Sequence, residues 1–386
     1  MKKSILISGI TITDAVERSF VGDLLVEDGK ISHAAEKIDS KADIHIDATC
    51  KNWTAFPGFI DVHIHGAAGH DVMDATPEAL NSLASTLPKE GTTSFLATTM
   101  TQSDNAISAA LQNIQKFQAQ EGQAEMLGVH LEGPFISSKR AGAQPIEHIA
   151  VASYPLFRKW QKLSGSQIRL VTLAPETKNG MLFIKRLIGD GVIASIGHSD
   201  ASLEEVQAAV RSGASHVTHL YNQMSPFHHR NPGVVGAALM EEGLTAEVIV
   251  DFIHSHPTSV ELAFRQKGAE RLLLITDAMR AKGLPPGVYD LGGKDVQVTH
   301  RDARLANGTL AGSVLTMDRA VRNIQSITGC SLNELVAMTS ANAAKELGLA
   351  NKGKLEAGAD ADVAILDENF TVQMTICKGT IAYTKE

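Results

Sequence analysis

Eight apolar, β-branched runs recur through the middle of the chain, at Gly58–His65, Thr92–Thr99, Met126–Glu132, Arg169–Ala174, Val192–His198, His216–Tyr221, Ala246–Phe252 and Arg271–Asp277. Stretches of helical texture separate them, among them Thr76–Glu90, Asp104–Gln120, Ala201–Ser212 and Ser255–Lys267. Strands that read as continuous apolar runs are buried on both faces, which is the habit of parallel strands covered by helices. Eight such units in a row predict a closed (β/α)8 barrel of the TIM type. An open doubly wound sheet is the alternative, but no GxGxxG turn follows the first strand, so it lacks its usual support.

The two ends have a different texture. From Ser4 to about Phe56, short alternating runs are separated by Gly, Asp and Lys turns, and strand-like runs return at Ala361–Leu366, Phe370–Gly379 and Thr380–Tyr383. We therefore expect a small β-sandwich domain built jointly from residues 1–56 and 349–386, with the barrel, residues 57–348, inserted between its halves. The polar, Gly-rich excursion after Asp277 is long enough for a β-hairpin or a loop over the barrel mouth. Two helices follow, about Val314–Thr328 and Leu332–Leu347, the second opened by a capping box of Ser331 and Glu334.

Charge and cysteine usage narrow the partners. The 35 basic and 43 acidic residues give a formal charge of −8 with no Lys/Arg-rich run, which argues against nucleic acid or an anionic membrane. MKKSILISGITITDA lacks a long apolar core and a cleavage site and reads as a strand, and no window is apolar enough to span a bilayer. Cys50, Cys330 and Cys377 are few and widely spaced without CxxC, as expected of a cytoplasmic protein.

A barrel of this kind carries its chemistry at the C-terminal ends of its strands. There the first strand offers His63 and His65, two apart and so on the same side. The third offers His130 and Glu132, the fifth His198, the sixth His219 and the eighth Asp277. Imidazole suits zinc, iron, nickel or copper, and barrel closure would bring these groups to one axis. Such a site is hydrolytic by default, with Asp277 the natural proton shuttle and His130 a support for the ligands rather than one of them.

PGFIDVHIHG, HLEGPF, GHSDA, THLYNQMSP, LITDAM and LAGS, in this order and essentially from end to end, resemble the amidohydrolase superfamily, and within it the N-acetylglucosamine-6-phosphate deacetylases. The first motif marks the superfamily; HLEGPF followed by THLYNQMSP is far more specific. The resemblance implies a divalent metal, zinc or iron, bound by Glu132, His198 and His219, with Asp277 as catalytic aspartate. It permits a second metal at His63 and His65, with Glu132 where other branches place a carboxylated lysine. It implies hydrolysis of N-acetyl-D-glucosamine 6-phosphate to D-glucosamine 6-phosphate and acetate in amino-sugar catabolism.

Substrate contacts implied in the same way fall on Ala143, Gln144, Asn222, Gln223, Arg230, His254, Leu310, Ala311 and Gly312. Arg230 would reach the phosphate held by a neighbouring subunit, which implies a homodimer; His228 and His229 beside it would assist or stay exposed. Gln144 departs from the family, where histidine is common. The rivals are an amidohydrolase acting on another amide, a cyclic amide or a base, and a non-catalytic scaffold, which would be expected to have lost metal ligands.

Overall fold

A computed structural model describes residues 3–16 and 19–386, so Met1 and Lys2 of the N-terminal stretch read as a strand lie outside it. Eight parallel strands follow one another around the middle of the molecule in sequence order: β1 Phe59–Ile64, β2 Thr92–Thr99, β3 Glu125–Glu132, β4 Ile168–Leu173, β5 Ile193–Ile196, β6 His216–Val217, β7 Thr245–Ile249 and β8 Leu272–Ile275. The ring closes between the last and the first. Asp277 N–H donates to the His63 carbonyl at 2.8 Å, Ile64 and Ala278 form a parallel bridge, and the Thr276 hydroxyl donates to Asp61 at 2.5 Å.

Helices on the outside supply the cover that both-face burial requires. In Asp104–Lys116, capped by the Ser103 side chain on Ala106 N–H, Ile107, Ala110, Leu111 and Ile114 form one buried stripe at helical spacing. Ile107, Leu111 and Ile114 of that stripe join the largest core, shared with Phe95, Phe157, Trp160 and Phe183.

The inward face differs from what continuous apolar runs suggest. Residues His130, Thr172, Ser195, His216, Thr218 and Glu247 are all fully buried along strands or just past their ends. They are joined to one another by hydrogen bonds: His130 Nε2 to Thr172 Oγ1 at 2.7 Å, Thr172 to Thr218 at 2.6 Å, and His216 Nε2 to Glu247 at 3.1 Å. Buried polar groups are tolerable only when so paired. β5 and β6 are also shorter than the apolar runs that contain them, because the chain turns into positive φ at His198 (47°), His219 (32°) and Tyr221 (78°) and leaves the ladder.

The terminal segments build one sheet of eight strands, in the order Thr380–Thr384, Val372–Cys377, Val363–Leu366, Thr54–Pro57, Ile5–Thr13, Ser19–Glu27 and Lys30–Ala35, with Ile44–Asp47 paired to the first half of Ile5–Thr13. The second half of that strand pairs instead with Thr54 and Ala55. A bulge between Ile7 and Ile10, where Gly9 takes φ 69°, lets one strand serve two partners and wraps the sheet around Ile5, Ile7, Ile10, Leu24, Val363 and Ile365. Lys352 fastens this sheet to the foot of β3: its ammonium lies 2.8 Å from Glu125, 3.1 Å from Asp360 and 2.5 Å from Asp362.

The excursion after Asp277 is both of the things its length allowed. It forms a three-stranded antiparallel sheet, Gly287–Leu291, Lys294–Val298 and Ala303–Leu305, with a small core of its own around Met100, Met279 and Val296, and its tip overhangs the barrel mouth. The capping box of Ser331 and Glu334 is present. The helix it opens widens into a π turn at Ala337–Ala341, where Thr339 and Ser340 return their hydroxyls to Leu335 and Val336 carbonyls. Among the described residues, no helix is long and apolar enough to cross a membrane.

Candidate metal centre and active site

At the C-terminal mouth of the barrel, four imidazoles surround one carboxylate. Glu132, at the end of β3, is buried, and its Oε1 lies 3.2 Å from His219 Nε2, 3.3 Å from His198 Nε2 and 3.4 Å from His63 Nε2. Its Oε2 lies 3.3 Å from His65 Nε2. Asp277 stands beyond, with Oδ1 3.5 Å from His63 Nε2 and 3.4 Å from His65 Nε2.

The second ring nitrogens decide which atoms are free to ligate. His198 Nδ1 is 2.7 Å from the Arg140 carbonyl, which only accepts, so Nδ1 carries the hydrogen and Nε2 keeps its lone pair. His63 Nδ1 likewise donates to Glu247 at 2.8 Å, and His63 Nε2 has no hydrogen-bond partner. His130 is different. Its Nδ1 faces the Val62 carbonyl at 3.1 Å and its Nε2 the Thr172 hydroxyl, and burial lowers its pKa to about 3. Both its nitrogens are committed, so it braces the site as a neutral ring, in the supporting place read from sequence.

The donors fit a cation. His198 Nε2 and His219 Nε2 are 3.2 Å apart and each 3.2–3.3 Å from Glu132 Oε1. A tetrahedron whose corners stand about 2.0 Å from its centre, the usual metal–imidazole distance, has edges of about 3.3 Å. His63, His65 and Asp277 make a second cluster, and Glu132 borders both, with Oε1 between His198, His219 and His63 and Oε2 beside His65.

A model of the amidohydrolase family matches residues 54–382. The chain belongs to the amidohydrolase family. It is 52% identical over 379 residues, covering 98% of this chain and 97% of the other, to the N-acetylglucosamine-6-phosphate deacetylase of Lysinibacillus sphaericus. It is 39% identical over 328 residues, covering 84% and 87%, to the N-acetylgalactosamine-6-phosphate deacetylase of Escherichia coli O157:H7. The structure of the Mycobacterium smegmatis deacetylase in complex with N-acetyl-D-glucosamine-6-phosphate superposes with a TM-score of 0.91 at 29% identity, over 99% of this chain and all of that one.

The backbone of this amidohydrolase is bent to aim its site. His198, His219 and Asp277 all have φ between 32° and 47°, a left-handed conformation that ordinary residues avoid and that clusters at functional sites. Each side chain leaves a strand end there and turns toward the barrel axis. Electrostatics complete the picture. Burial works against charge on His65, but hydrogen bonds to Asp277 and Glu132 outweigh it and push its pKa up to about 10. Burial is likewise overcome at His63, held well above the imidazole range by Glu247, Asp277 and Glu132. Glu132 is held well below the carboxylate range despite its burial, and Asp277 is lowered too. Glu132, Glu247 and Asp277 thus concentrate negative charge around these rings, the charge that a bound cation would neutralise.

A cavity of about 330 Å³ opens over the cluster. His65, Glu132, His198, His219 and Asp277 form part of its lining, and His63 is buried outside that lining. The remaining wall includes Ala143 and Gln144 after β3, Asn222 and Gln223 after β6, His254 after β7, and Leu310 and Gly312 below the excursion. Gln144 is tied into the cluster, donating Nε2–H to Glu132 Oε2 at 2.6 Å and accepting Thr101 N–H at 2.8 Å. His254 is held by Asp251, whose carboxylate takes Nδ1–H at 2.7 Å. Two expected contacts do not line this cavity. Ala311 is buried in the small core beneath the excursion, and Arg230 is exposed, its guanidinium 2.7 Å from His229.

The cavity also contains residues that sequence reasoning passed over: Met100, Leu291, Arg304 and Thr309. Three of these belong to the excursion, whose polar, turn-rich composition carries no ligand pattern. Glu247 was missed as well, although a lone carboxylate inside the apolar run AEVIV was a signal, since an acidic residue is almost never fully buried unless paired.

Proposed function

We propose that this amidohydrolase hydrolyses N-acetyl-D-glucosamine 6-phosphate to D-glucosamine 6-phosphate and acetate, as a step of amino-sugar catabolism in the cytoplasm. The observation that carries the reading is the gathering of four imidazole Nε2 atoms and Asp277 around Glu132, beneath a cavity of sugar-phosphate size, in a chain 52% identical to a deacetylase of that sugar phosphate. Glu132, His198 and His219 are the proposed holders of one divalent ion, and His63 and His65 with Asp277 of a second; imidazole and carboxylate donors favour zinc or iron. When bound, such an ion polarises an amide carbonyl and makes water acidic enough to attack it near neutral pH.

The chain's own groups do the rest. Asp277, kept ionised, takes a proton from the attacking water and hands it to the departing amine. Gln144 fixes the orientation of the Glu132 carboxylate between the two clusters by holding its Oε2. His254, oriented by Asp251, is left with Nε2 for the sugar or the scissile carbonyl. Asn222, Gln223 and Ala143 face the sugar from one side, and Leu310 and Gly312 from the other, with Ala311 packed behind them in the small core.

Arg230 we assign to the phosphate of a second subunit, because it is exposed and absent from its own cavity wall. Phe227 and Met240 nearby are 61% and 72% exposed, an apolar surface suited to a homodimer contact. The three parts 1–56, 57–348 and 349–386 then divide the work, the barrel carrying the chemistry and the terminal sheet the scaffold.

The test is acetate release by metal-loaded protein from N-acetylglucosamine 6-phosphate, its galacto epimer and the unphosphorylated sugar. The expected result is turnover of the gluco phosphate, with much weaker release when the phosphate is absent. Release mainly from the galacto epimer would move the assignment to the chemistry of the 39%-identical relative. No release from either phosphate would overturn it and leave another amide or cyclic amide as substrate.

A further inference from the structure

A column of hydrogen bonds runs from the metal centre down through the barrel interior to its foot. It starts at His63, whose Nδ1 donates to Glu247 Oε2 at 2.8 Å. Glu247 Oε1 accepts from His216 Nε2 at 3.1 Å, and His216 Nδ1 donates to Glu346 Oε2 at 2.9 Å. His63, Glu247 and the His216 side chain are wholly buried, whereas the Glu346 side chain is 19% exposed. Both His216 nitrogens face carboxylates, so both donate and the ring is an imidazolium locked in a single orientation. Glu247 is left with no freedom either: Oε2 also receives His219 N–H at 3.0 Å.

Three buried ionisable groups in line are costly to desolvate and are retained only where they are fully paired. A barrel interior filled with aliphatic side chains would be the simpler core. What the column supplies is a fixed direction for one ring. With Nδ1–H held by an immobile carboxylate, His63 can aim only Nε2 at the cluster it shares with His65 and Asp277, and outer hydrogen-bond partners of this kind control how well a ligand holds a metal. Glu247 alone could serve both clusters through His219 N–H. His216 and Glu346 reach the centre only through Glu247, whose Oε1 faces His216 while Oε2 carries His63.

We propose that His216 and Glu346 are positioning residues for His63, so that the foot of the barrel sets how tightly the His63/His65 position holds its ion. The inference rests on the two-position metal reading above. Helix geometry supports it: the π turn at Ala337–Ala341 shifts the register of the last turns, after which Asn342 is pinned by Ala269 and Leu272 carbonyls and Glu346 meets His216.

The test is titration of the metal-stripped full-length protein with Zn²⁺ in competition with a chromophoric chelator, which reads the number of sites and the affinity of each without turnover. Wild type should take two equivalents. His216→Gln should weaken one of them by about ten- to a hundredfold and leave the other unchanged, and Glu346→Gln should act in the same direction to a smaller extent. His63→Ala should abolish that position, and adding His216→Gln to it should change nothing further, because the two act through one ring. Unaltered zinc affinities in both variants, or an equal loss at both positions, would overturn the proposal. If His216→Gln does not fold, the partly exposed Glu346→Gln decides alone. A wild type that takes a single equivalent would instead defeat the two-position reading on which the proposal stands.

Discussion

Gln144 Nε2 lies 2.6 Å from Glu132 Oε2, while the same amide's oxygen accepts Thr101 N–H at 2.8 Å. The side chain is therefore a rigid strut between the end of the second barrel strand and the carboxylate shared by both metal clusters. A neutral amide can donate here without adding charge, whereas a histidine at this point would bring a titrating group into a buried cluster of imidazoles. Removing the strut leaves Glu132 Oε2 with one donor fewer. Gln144→Leu should lower kcat/KM by about ten- to a hundredfold, the scale of a buried hydrogen bond to a charged group. Unchanged steady-state kinetics would mean that Glu132 is held by the imidazoles alone.

Asp277 tests the proton transfer separately from binding. Asp277→Asn preserves shape and hydrogen-bonding capacity but cannot take a proton. We expect kcat to fall by about a hundred- to ten-thousandfold, the usual worth of a general acid–base group, with KM changed by a small factor. Zinc content at the Glu132, His198 and His219 cluster should persist, because Asp277 faces the other cluster. A fall in zinc at the Glu132, His198 and His219 cluster matching the fall in rate would mean that the loss of activity reflects lost metal rather than lost proton transfer.

The barrel was legible in the sequence because parallel strands buried on both faces leave long apolar runs, and because a (β/α)8 ring puts strand ends together whatever the loops do. His63, His65, Glu132, His198, His219 and Asp277 could be located that way, each at the end of such a run. Two things were not legible. The polar interior, from His130 to Glu247, sits on the same strands as the apolar outer face, and scattered single polar residues in apolar runs give no periodic signal. The overhanging excursion brings Arg304 and Thr309 to the cavity through a turn-rich segment whose three-dimensional path depends on packing around Met100 and Met279. The left-handed φ values at His198, His219 and Asp277 belong to the same class, being imposed by surroundings rather than by the residues themselves.

Lys282 and Glu90 form a buried pair, Nζ to Oε1 2.5 Å, with side chains 2% and 6% exposed. Taking away one partner strands a charge in the interior. Lys282→Met should cost about 3–5 kcal/mol of unfolding free energy, and adding Glu90→Leu should recover most of it. Denaturant unfolding of the single and double variants checks this, and a double variant no more stable than Lys282→Met would show that packing, not charge, is what the lysine supplies.

His216 gives a pH dependence with a definite sign. Burial opposes its charge, but Glu346 and Glu247 outweigh that and raise its pKa to about 10 from an ordinary 6.5. The folded chain thus holds a proton that the unfolded chain releases in that window. The stabilisation is fully present below pH 6.5 and is lost as pH rises through about 10, at up to about 1.4 kcal/mol per pH unit. Wild type should therefore lose stability relative to His216→Gln between those limits, read from urea unfolding at pH 6, 8 and 10. A constant difference across the series would mean that the ring is neutral in the folded protein.

Arg230 makes a prediction that only two chains together can satisfy. It is exposed, sits beside His229 and lies outside the lining of the cavity in its own subunit. If it completes the phosphate site of a neighbour, Arg230→Ala and Asp277→Asn should each be nearly inactive alone. In a mixed dimer, the Arg230→Ala subunit keeps its own Asp277 and receives a native arginine from its partner, so one of two sites is whole. With random mixing half the dimers are mixed, so activity should recover to about a quarter of wild type in a closed two-fold dimer. An arginine acting within its own subunit would give no recovery, since neither chain would then hold both residues. The same mixture assayed with unphosphorylated sugar separates phosphate recognition from assembly, because there the loss of Arg230 should cost little to begin with.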